Sequence, residues 1–530
     1  MNATPVGGAA RAQGWHWPMV LCAGLAQAAA LALPGSGEPV WWLQLAALAA
    51  LAGVLRAPMG WRRAAGLGWV FATAWLAGTF WWLFISMHTY GGLAAPLAVA
   101  AVLALAAFLG GYYALVLGLF KALPLDGRVF LAIVFGALWM LAELARGTWW
   151  TGFPWGAAGY AHVQGPLAAL ARSIGVYGIS GVAAALAMLL VQLRRSDLRS
   201  ARAWALALGL VALGAGAAWQ RHCAVEQCGA AHAPLAPPLA LALLQGNIPQ
   251  DEKFQPGSGV PMALHWYGER LTSLQGALVV APETAVPLLP QQLSPGYLEA
   301  IEQHFSSGGQ AALLGMPLGS METGYTNSVV GFGPGLKAQY RYDKHHLVPF
   351  GEFIPPFFRW FTERMNIPLG DFNRGTLGQP PFAWRGERIA PNICYEDLFG
   401  EELARQFVHA DGGPTVLVNL SNIGWFGNTL AIDQHLHISR MRTLEFERPM
   451  VRATNTGATA IIDHRGVVTH QLERHVRGVL KGQVQGRNGP PTPYVAWVSR
   501  FGLWPLVCLA LAVVLAAVAH WRRKALSRTG

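Results

Sequence analysis

The segment Pro391-Asn392-Ile393-Cys394-Tyr395-Glu396-Asp397 ends an apolar run with a cysteine that is followed by two carboxylates. Short apolar runs bounded by Pro and Asn predict buried strands, so we expect Cys394 at a strand end where the chain turns. An isolated cysteine is more often a buried structural residue than a nucleophile. A nucleophilic role requires a neighbouring base or cation, because the reactive form is the thiolate.

Two further ionisable residues stand at the ends of predicted strands. Glu283 follows the apolar part of Val280-Ala281-Pro282-Glu283-Thr284-Ala285-Val286-Pro287, and this environment is expected to raise its pKa toward that of a general base. Lys344 lies in Tyr342-Asp343-Lys344-His345-His346-Leu347-Val348-Pro349-Phe350-Gly351-Glu352, ahead of an apolar stretch, and could present a fixed positive charge. A solvated glutamate and a surface lysine explain these two residues when each is taken alone. Together with Cys394 they predict one site that holds a base, a cation and a nucleophile.

The region 222–494 has the pattern of a layered α/β domain. Short apolar runs alternate with polar helical stretches over a length sufficient for a separate core. The predicted strands are Leu239–Leu244, Ala277–Val280, Ala311–Leu313, Ser328–Phe332, Arg388–Ile393, Val416–Leu420 and Thr459–Ile462. We expect helices at 398–411 and 433–447.

The composition of the whole chain differs from that of a soluble protein. Of the 530 residues 12% are charged, about half the fraction in ordinary soluble domains, and 53% are hydrophobic. These values exclude disordered, collagenous and small disulfide-stapled proteins. The five cysteines, an odd number, leave at least one thiol unpaired, and Cys223 and Cys228 either form a local disulfide or stay as thiols. We therefore expect a membrane domain joined to a soluble domain.

About eight stretches are apolar over the ~20 residues needed to cross about 30 Å of hydrocarbon. They lie near 17–33, 40–56, 68–86, 92–120, 129–145, 169–192, 203–219 and 496–519. They predict a membrane domain of about seven spans at 1–221, a catalytic domain at 222–494, and a final span with a basic tail at 495–530. The first stretch could instead be a cleaved signal peptide, since Ala26-Gln27-Ala28 resembles a cleavage site, but the charge pattern favours a retained span.

Positive charges mark alternate connections between the predicted spans. They follow the second, fourth and sixth spans and end the chain, at Arg56, Arg62, Arg63, Lys121, Arg128, Arg194, Arg195, Arg199, Arg202, Arg522, Arg523, Lys524 and Arg528. The connections 34–39 and 87–91 contain no Lys or Arg. The positive-inside rule therefore predicts that both termini are cytoplasmic and that 222–494 lies outside.

The outward connection 146–168 is rich in aromatic residues, among them Trp155. It is either an interfacial aromatic belt or a platform where a lipid headgroup meets an active site. Glu143 lies three residues before Arg146 near the end of a span, which predicts an ion pair on one helix face.

Histidine and cysteine spacing argues against a metal site. His345 and His346 are adjacent, and neighbouring side chains on a strand face opposite ways. His435 and His437 are two apart on a predicted helix and do not share a face. No cysteine stands at zinc spacing from them, so no metal is expected.

The three strand-end residues, with the flanking Pro282-Glu283-Thr284, Asp343-Lys344 and Cys394-Tyr395-Glu396, resemble the Glu-Lys-Cys triad of the nitrilase (carbon–nitrogen hydrolase) superfamily. Seven spans, an external domain of this type and one final span resemble the bacterial apolipoprotein N-acyltransferases. The further motifs that carry this resemblance are Gly152-Phe153-Pro154-Trp155, Gln245-Gly246-Asn247-Ile248-Pro249-Gln250, Leu347-Val348-Pro349-Phe350-Gly351-Glu352 and Ser421-Asn422-Ile423-Gly424-Trp425-Phe426-Gly427. It implies a polytopic α-helical membrane protein that carries an extracytoplasmic nitrilase-like α-β-β-α sandwich.

The resemblance implies acyl transfer in two half-reactions, with no cofactor. A phospholipid would donate an acyl chain to Cys394 as a thioester. The α-amino group of the N-terminal diacylglyceryl-cysteine of an apolipoprotein would then accept the chain. Glu283 would act as base, and Lys344 with a backbone N–H near Tyr395 would hold the oxyanion. The implied setting is the bacterial inner membrane with the catalytic domain on the periplasmic side, a monomer is sufficient, and no nucleic acid partner is expected.

Other residues take supporting or substrate-binding roles by the same resemblance. Glu352 would support Lys344, and Tyr395 and Glu396 would lie beside the nucleophile. The predicted substrate-binding residues are Phe254, Trp155, Trp425 and Phe426, of which the last two would lie on a mobile loop at the mouth of the site. The chain departs from the family in two places: Phe254 stands where a tryptophan is frequent, and Ile423-Gly424 replaces a more polar pair.

Two other functions are consistent with parts of the sequence. A membrane-tethered amidase of the nitrilase type would use the same triad on a soluble substrate, and it differs only in the acyl donor and acceptor. A transporter with an external binding domain would need paired ionisable residues at mid-depth in its spans, and the predicted spans contain almost none.

Overall fold

The computed structural model describes residues 14–194, 196–197, 208–209, 212, 215, 236–274, 278–336, 339–355, 371–408 and 413–526. The longer helices are, in chain order, α1 (His16–Ala29), α2 (Trp41–Leu55), α3 (Trp61–Thr79), α4 (Ala95–Ala122), α5 (Arg128–Thr148), α6 (Ala171–Leu190), α7 (Gly259–Ser273), α8 (Tyr297–Ser307), α9 (Leu430–Phe446), α10 (Pro493–Phe501) and α11 (Trp504–Leu526). The strands are β1 (Leu239–Gln245), β2 (Leu278–Ala281), β3 (Ala311–Ser320), β4 (Gly324–Phe332), β5 (Tyr340–Asp343), β6 (Phe382–Trp384), β7 (Glu387–Ile393), β8 (Val416–Ser421), β9 (Met450–Thr454), β10 (Ala460–Ile462), β11 (Val468–Gln471) and β12 (Gly478–Val484).

The chain divides into two compact units. The first, the helical unit, comprises Met1–Trp81, Val99–Gln220 and Leu503–Gly530. The second, the sheet unit, comprises Trp82–Ala98 and Arg221–Gly502. The short segment Trp82–Ala98, which follows α3, therefore packs with the sheets although it lies far from them in sequence.

The helical unit contains helices that are long and apolar enough to cross a membrane. In the described part of the chain four helices meet this test: Ala95–Ala122, Arg128–Thr151, Pro166–Leu190 and Trp504–Arg523. A fifth span results if α3 and the interrupted helix Leu83–Tyr90 count as one. α1 and α2, with 14 and 15 residues, are shorter than the ~20 residues that a span requires. Most of the predicted span at 203–219 lies outside the described residues, as do the cysteines Cys223 and Cys228.

Two predicted spans have different bounds in the structure. The third was predicted at 68–86, but α3 begins at Trp61 and ends at Thr79. A hydropathy window rejects Arg62 and Arg63, whereas long basic side chains are tolerated at a helix end because they extend to the polar interface. The eighth was predicted as one helix at 496–519, but Gly502, with a φ of +58°, separates α10 from α11.

The connection after α5 is held by a buried arginine. Arg146 Nη2 lies 3.5 Å from Glu143 Oε2, which confirms the predicted ion pair. Arg146 Nη1 also donates to the carbonyl oxygens of Phe153 and Trp155, at 2.6 and 2.8 Å. Trp155 is buried within the helical unit, and its role in substrate binding stays a prediction.

The sheet unit is built on two six-stranded sheets within the described residues. Their strand orders are β12-β1-β2-β3-β4-β5 and β11-β10-β9-β8-β7-β6. β1, β2 and β3 are parallel in the first sheet, and β7, β8 and β9 are parallel in the second. Parallel strands are typically covered on both faces, and here the two sheets cover each other on one side.

Buried apolar side chains from both sheets form one core, and helices cover the outer faces. Leu243, Val280 and Leu313 of the first sheet share this core with Ile393 and Leu420 of the second. A further core lies between the first sheet and α7 and α8. α9 packs on the second sheet with nearly all of its side chains buried. The result is an α-β-β-α arrangement in which the carboxyl ends of β2, β7 and β8 supply neighbouring polar side chains.

The stretch predicted as a helix at 398–411 is only partly a regular α-helix in the described residues. It forms a short α-helix, Gly400–Leu403, followed directly by a 3-10 helix, Ala404–Val408. A side chain at Gly400 would collide with Arg442 Nη1, so the backbone there packs too closely for an ordinary helix surface.

Candidate active site

Three strand ends deliver the three residues predicted to form the site. Glu283 follows β2, Lys344 follows β5 and Cys394 follows β7. The backbone of Cys394 has a φ of +51°, in the left-handed region that a residue with a Cβ seldom adopts. Such a conformation persists only where surrounding contacts hold it, and it frequently marks a functional turn.

Glu283 and Lys344 are in direct contact, as predicted. Lys344 Nζ donates to Glu283 Oε1 at 3.1 Å and to Glu352 Oε1 at 2.8 Å. Asn327 Nδ2 donates to the same two oxygens, at 2.7 and 2.8 Å, and so holds the two carboxylates together. All four side chains are buried. Glu352 therefore lies where the resemblance predicted it, against Lys344.

The second oxygen of Glu283 is held by a backbone group. Asn422 N donates to Glu283 Oε2 at 2.8 Å. The side chain of Asn422 is itself fixed, because its Nδ2 donates to Gln250 Oε1 at 3.0 Å and its Oδ1 accepts from Asn455 Nδ2 at 3.2 Å. The carboxylate is thus oriented from both sides, which leaves it little freedom to rotate.

Lys253 is a component of the site that sequence reasoning missed. Its Nζ is buried and donates to the backbone oxygen of Glu283 at 3.2 Å. Burial lowers the pKa of Lys253 to about 7, although the negative charge of Glu283 opposes that shift. The sequence signal was Lys253 itself, in Glu252-Lys253-Phe254, where only the phenylalanine attracted attention. Glu283, Glu352, Asn327, Lys344 and Lys253 are called the front network below.

The charge states of the front network follow from burial and from mutual contact. Burial alone would raise the pKa of Glu283, but Lys344 and the Asn327 amide outweigh it and hold the pKa below its ordinary value. The sequence-based prediction of a raised pKa was therefore wrong, because it could not include an ammonium 3.1 Å away. Burial would lower the pKa of Lys344, yet Glu283 and Glu352 raise it above its usual range. The pair rests as a carboxylate and an ammonium.

The thiol of Cys394 rests in its protonated form. Burial, together with the nearby carboxylate of Glu283, raises the pKa of Cys394 to about 12, while Lys344 and a hydrogen bond from Ser421 act in the opposite direction. Ser421 Oγ donates to Cys394 Sγ at 3.2 Å. Glu283 and Cys394 thus form a base and an acid that interact electrostatically, and the proton lies on sulfur at rest.

Glu396 joins the turn that carries Cys394 (Cys394–Leu398), the proposed nucleophile turn, to the loop that carries Lys344. Its Oε2 accepts from Ile393 N at 2.7 Å and from the Tyr342 hydroxyl at 2.9 Å, and its Oε1 accepts from His345 N at 2.7 Å. Burial raises the pKa of Glu396 to about 7 even though these donors lower it. Tyr395 is also buried, and its ring lies 5.2 Å from that of Phe399. These contacts suit a supporting role for both residues.

Aromatic side chains from three segments of the sheet unit meet near the loop after β8. Trp425 stacks on Phe254 with ring centroids 6.4 Å apart, and Tyr90 contacts it edge-on at 6.1 Å. Phe426 lies 4.3 Å from Trp82. Lys253 Nζ, which belongs to the front network, lies 5.9 Å from the Phe254 ring. These rings form an aromatic wall (Phe254, Trp425, Phe426, Tyr90 and Trp82) that adjoins the front network.

The predicted histidines contact different groups. His345 Nδ1 lies 2.7 Å from the Gly375 oxygen, whereas His346 Nδ1 lies 3.0 Å from Glu402 Oε1. His435 reaches the nucleophile turn, and His437 Nδ1 faces Arg440 at 3.3 Å. In the described part of the chain no three His, Cys, Asp or Glu side chains are grouped as metal ligands would be.

Comparison with known proteins assigns both parts of the chain. Residues 23–189 match the apolipoprotein N-acyltransferase N-terminal domain, and residues 241–489 match the carbon–nitrogen hydrolase family. The chain is similar to proteins named apolipoprotein N-acyltransferase from three bacteria. It is 64% identical to that of Verminephrobacter eiseniae (strain EF01-2), over 92% of this chain and 94% of that protein. The identity is 46% for Ralstonia nicotianae, over 91% and 90% of the two chains, and 41% for Bordetella bronchiseptica, over 97% and 99%.

These relatives match both units of the chain and nearly its whole length, at identities well above those of chance similarity. The chain therefore belongs to the apolipoprotein N-acyltransferase family.

Proposed function

We propose that this protein transfers an acyl chain from a membrane phospholipid to the N-terminal amine of an apolipoprotein, by a ping-pong reaction through a thioester on Cys394. Lipoprotein N-acylation follows from the family, and the observation that carries the mechanism is the buried contact between Glu283 and Lys344 beside the strained Cys394 turn. Glu283, Lys344 and Cys394 are the proposed catalytic residues.

In the first half-reaction the proton moves only as the new bond forms. Because the pKa of Cys394 is raised to about 12 and that of Glu283 is lowered, a free thiolate is rare at neutral pH. Cys394 Sγ attacks the ester carbonyl as Glu283 takes the thiol proton, and the oxyanion forms between Lys344 Nζ and the N–H of Tyr395. The ester C–O bond then breaks, Glu283 returns its proton to the departing oxygen, and lysophospholipid leaves.

In the second half-reaction the acceptor amine replaces sulfur. The α-amino group of the diacylglyceryl-cysteine attacks the thioester in its neutral form and gives a proton to Glu283. The C–S bond breaks, the sulfur regains that proton, and an amide remains on the lipoprotein. An amide is more stable than a thioester, so this step runs downhill, and the same two oxyanion donors serve both steps.

The thioester has to survive until the acceptor arrives. Water attacks thioesters, so a site of this kind requires a dry mouth. The aromatic wall supplies large apolar surfaces beside the front network and would contact acyl chains of the substrates. Phe254, Trp425 and Phe426 are accordingly proposed as substrate-contacting residues.

The membrane setting is part of the proposal. The alternating positive charges support two cytoplasmic termini and a catalytic domain on the outer face of the bacterial inner membrane, at about 222–494. The remaining parts, 1–221 and 495–530, would anchor that domain beside its lipid substrates. A monomer carries every proposed catalytic residue, and no cofactor enters the reaction.

Intact-protein mass spectrometry tests the mechanism. After incubation with phospholipid and no acceptor, we expect a mass gain of one acyl chain that hydroxylamine removes. Cys394→Ala should show no gain, while Cys508→Ala, which removes a free cysteine in a different unit, should behave as the unsubstituted protein. Release of free fatty acid or turnover of a soluble amide without any adduct would favour a hydrolase instead.

A further inference from the structure

Behind the nucleophile lies a second buried group of polar side chains that the proposed reaction does not use. Parallel pairing places Asn392, Asn419 and Arg452 side by side across β7, β8 and β9. Asp397 from the nucleophile turn and His435 and Ser439 from α9 complete the group. All six side chains are buried, and they are called the rear network below.

Two members of the rear network donate to one carbonyl oxygen of the nucleophile residue. Asn419 Nδ2 lies 3.1 Å from the Cys394 backbone oxygen, and His435 Nε2 lies 3.3 Å from it. Asn419 Nδ2 also donates to Asn392 Oδ1 at 2.7 Å, which fixes the orientation of its amide. If the Asn419 amide were flipped, its Oδ1 would face the Cys394 backbone oxygen, and two acceptors would lie against each other. The observed orientation is therefore the one that allows a hydrogen bond to this oxygen.

Arg452 determines which nitrogen of His435 carries the proton. Arg452 Nη2 lies 3.0 Å from His435 Nδ1, and a guanidinium is only a donor. His435 Nδ1 therefore accepts, and the ring N–H sits on Nε2, directed at Asp397 Oδ1, 2.9 Å away, and at the Cys394 oxygen. Burial lowers the pKa of His435, which agrees with a neutral ring held as this single tautomer.

Peptide geometry carries the effect to the other side of the turn. The Cys394–Tyr395 peptide is trans, so its C=O and N–H point in opposite directions. We propose that Asn419 and His435 are positioning residues for acyl transfer, because their hydrogen bonds to the Cys394 carbonyl oxygen fix the peptide plane with the Tyr395 N–H directed at the substrate oxyanion. This inference rests on the proposed function, in which that N–H is an oxyanion donor.

The left-handed turn explains why a nucleophile would need such support. Cys394 has a φ of +51°, which a free peptide would leave for a more favourable conformation. Two donors on its carbonyl oxygen hold the turn, and they also polarise the peptide so that its N–H becomes a stronger donor. The rear network is therefore matched to an oxyanion-binding peptide rather than to the sulfur itself.

Two reactions of the same sulfur separate positioning from general damage. Alkylation of Cys394 by iodoacetamide forms no oxyanion, whereas acylation by an ester does. We expect Asn419→Leu, which keeps the branched shape of the side chain and removes the N–H donor, to slow acylation by at least ~10-fold. Alkylation, measured on the Cys394 peptide by mass spectrometry from pH 6 to 10, should stay within about twofold, since a positioning role leaves the thiol unchanged.

Two further variants keep the inference falsifiable. His435→Gln retains an amide N–H near the Nε2 position and should lose less acylation than His435→Leu. Thr443→Ala is the matched control, because Thr443, another buried hydroxyl of α9, donates to the Arg440 oxygen and not to the rear network, and it should change neither rate by more than about threefold. Acylation equal to that of the unsubstituted protein in Asn419→Leu and His435→Leu, or equal loss of acylation and alkylation, would overturn the proposal.

The acyl donor distinguishes this inference from the proposed function. Each variant is assayed with phospholipid and with p-nitrophenyl butyrate, an activated ester that needs the same oxyanion site. Failure of the unsubstituted protein to react with phospholipid, with normal acylation by the activated ester, would contradict the lipid donor and leave the positioning test intact. Slower acylation of Asn419→Leu by both esters supports positioning.

Discussion

The front and rear networks are both buried groups of charged side chains next to Cys394, yet they differ in what can move. In the front network Glu283 carries both a fixed ammonium contact and an electrostatic interaction with an unionised thiol. In the rear network Arg452 is a permanent donor that fixes the His435 tautomer, and Asp397 accepts from both. In the proposed reaction a proton passes between Glu283 and Cys394, whereas none passes through the rear network.

This difference gives each network a different task. Burying charges is costly unless they are paired, so neither network is evidence of stability by itself. The rear network is close to neutral, with one arginine, one aspartate and a neutral histidine, and is suited to holding the backbone. The front network has two carboxylates that both contact the Lys344 ammonium, and Lys253 adds a second full positive charge only below its pKa of about 7. Substitutions on the two sides should therefore change different measurements.

The largest effect is expected at Cys394, which lies between the two networks. Cys394→Ser keeps the shape of the side chain but replaces the sulfur with a hydroxyl of much higher pKa, and Glu283 in its low-pKa state is too weak a base for it. We expect acyl transfer to fall below detection. The measurement is single-turnover transfer to an amine acceptor, and turnover by the serine form within tenfold of normal would refute the nucleophile assignment.

Glu283→Gln should break the front network while sparing the rear one. The amide cannot take the thiol proton, so we expect acyl-enzyme formation to fall by ~10²–10⁴-fold. The readout is the rate of thioester formation from phospholipid. Glu299→Gln, at an exposed glutamate on α8, is the control and should leave that rate unchanged. A loss of less than tenfold in Glu283→Gln would assign the base elsewhere.

The contribution of Lys253 to acylation should depend on pH, because the charge of this residue changes in the accessible pH range. Its pKa is about 7, so it is an ammonium below that pH and loses its proton as the pH rises. Lys253→Met removes this charge together with the hydrogen bond to the Glu283 backbone oxygen, whereas the neutral amine lacks only the charge. We expect acylation to be slower than normal by about tenfold at pH 6, and the difference to shrink as the pH rises to 9.

Lys253→Arg separates charge from packing at this position. A guanidinium keeps its charge throughout this range. The acylation rate of Lys253→Arg, divided by that of the unsubstituted protein, should therefore not fall as the pH is lowered. A Lys253→Met defect that is the same at pH 6 and pH 9 would show that the residue acts by packing alone, and the front network would then reduce to Glu283, Lys344 and Glu352.

Sequence reasoning located the front network better than the rear one for a physical reason. Glu283 and Cys394 each follow an apolar strand and Lys344 precedes an apolar stretch, so local pattern and family motifs both mark them. Asn419 and Arg452 lie inside strands, and only the register of β7, β8 and β9 brings them under the nucleophile. Register between distant strands has no local signature in a single sequence, and sequence reasoning also missed β5, β6, β9, β11 and β12.

Charge states were the other part that the sequence could not supply. The apolar run before Glu283 indicated burial, and burial alone raises a carboxyl pKa. The direction of the pKa shift reversed because β5 brings Lys344 Nζ to 3.1 Å from Glu283 Oε1. These two residues are 61 positions apart in the sequence. Lys253 was overlooked for the opposite reason, since a lysine in a polar turn ordinarily lies in solvent, and only the fold reveals its burial.

The smallest expected effect concerns the boundary of the front network. α9 covers the rear network, whereas the front network has to admit substrates. Within the aromatic wall, Trp425 contacts both Phe254 and Tyr90. Trp425→Ala should let water reach the thioester, so the ratio of hydrolysis to transfer should rise by a few-fold while the rate of thioester formation changes little. Trp425→Phe keeps a ring and should stay near normal.

The measurement is decay of the isolated acyl-enzyme with and without an amine acceptor. A slower first half-reaction with unchanged hydrolysis would instead make Trp425 a contact for the donor lipid. The open side of the nucleophile would then serve to recognise the donor rather than to exclude water.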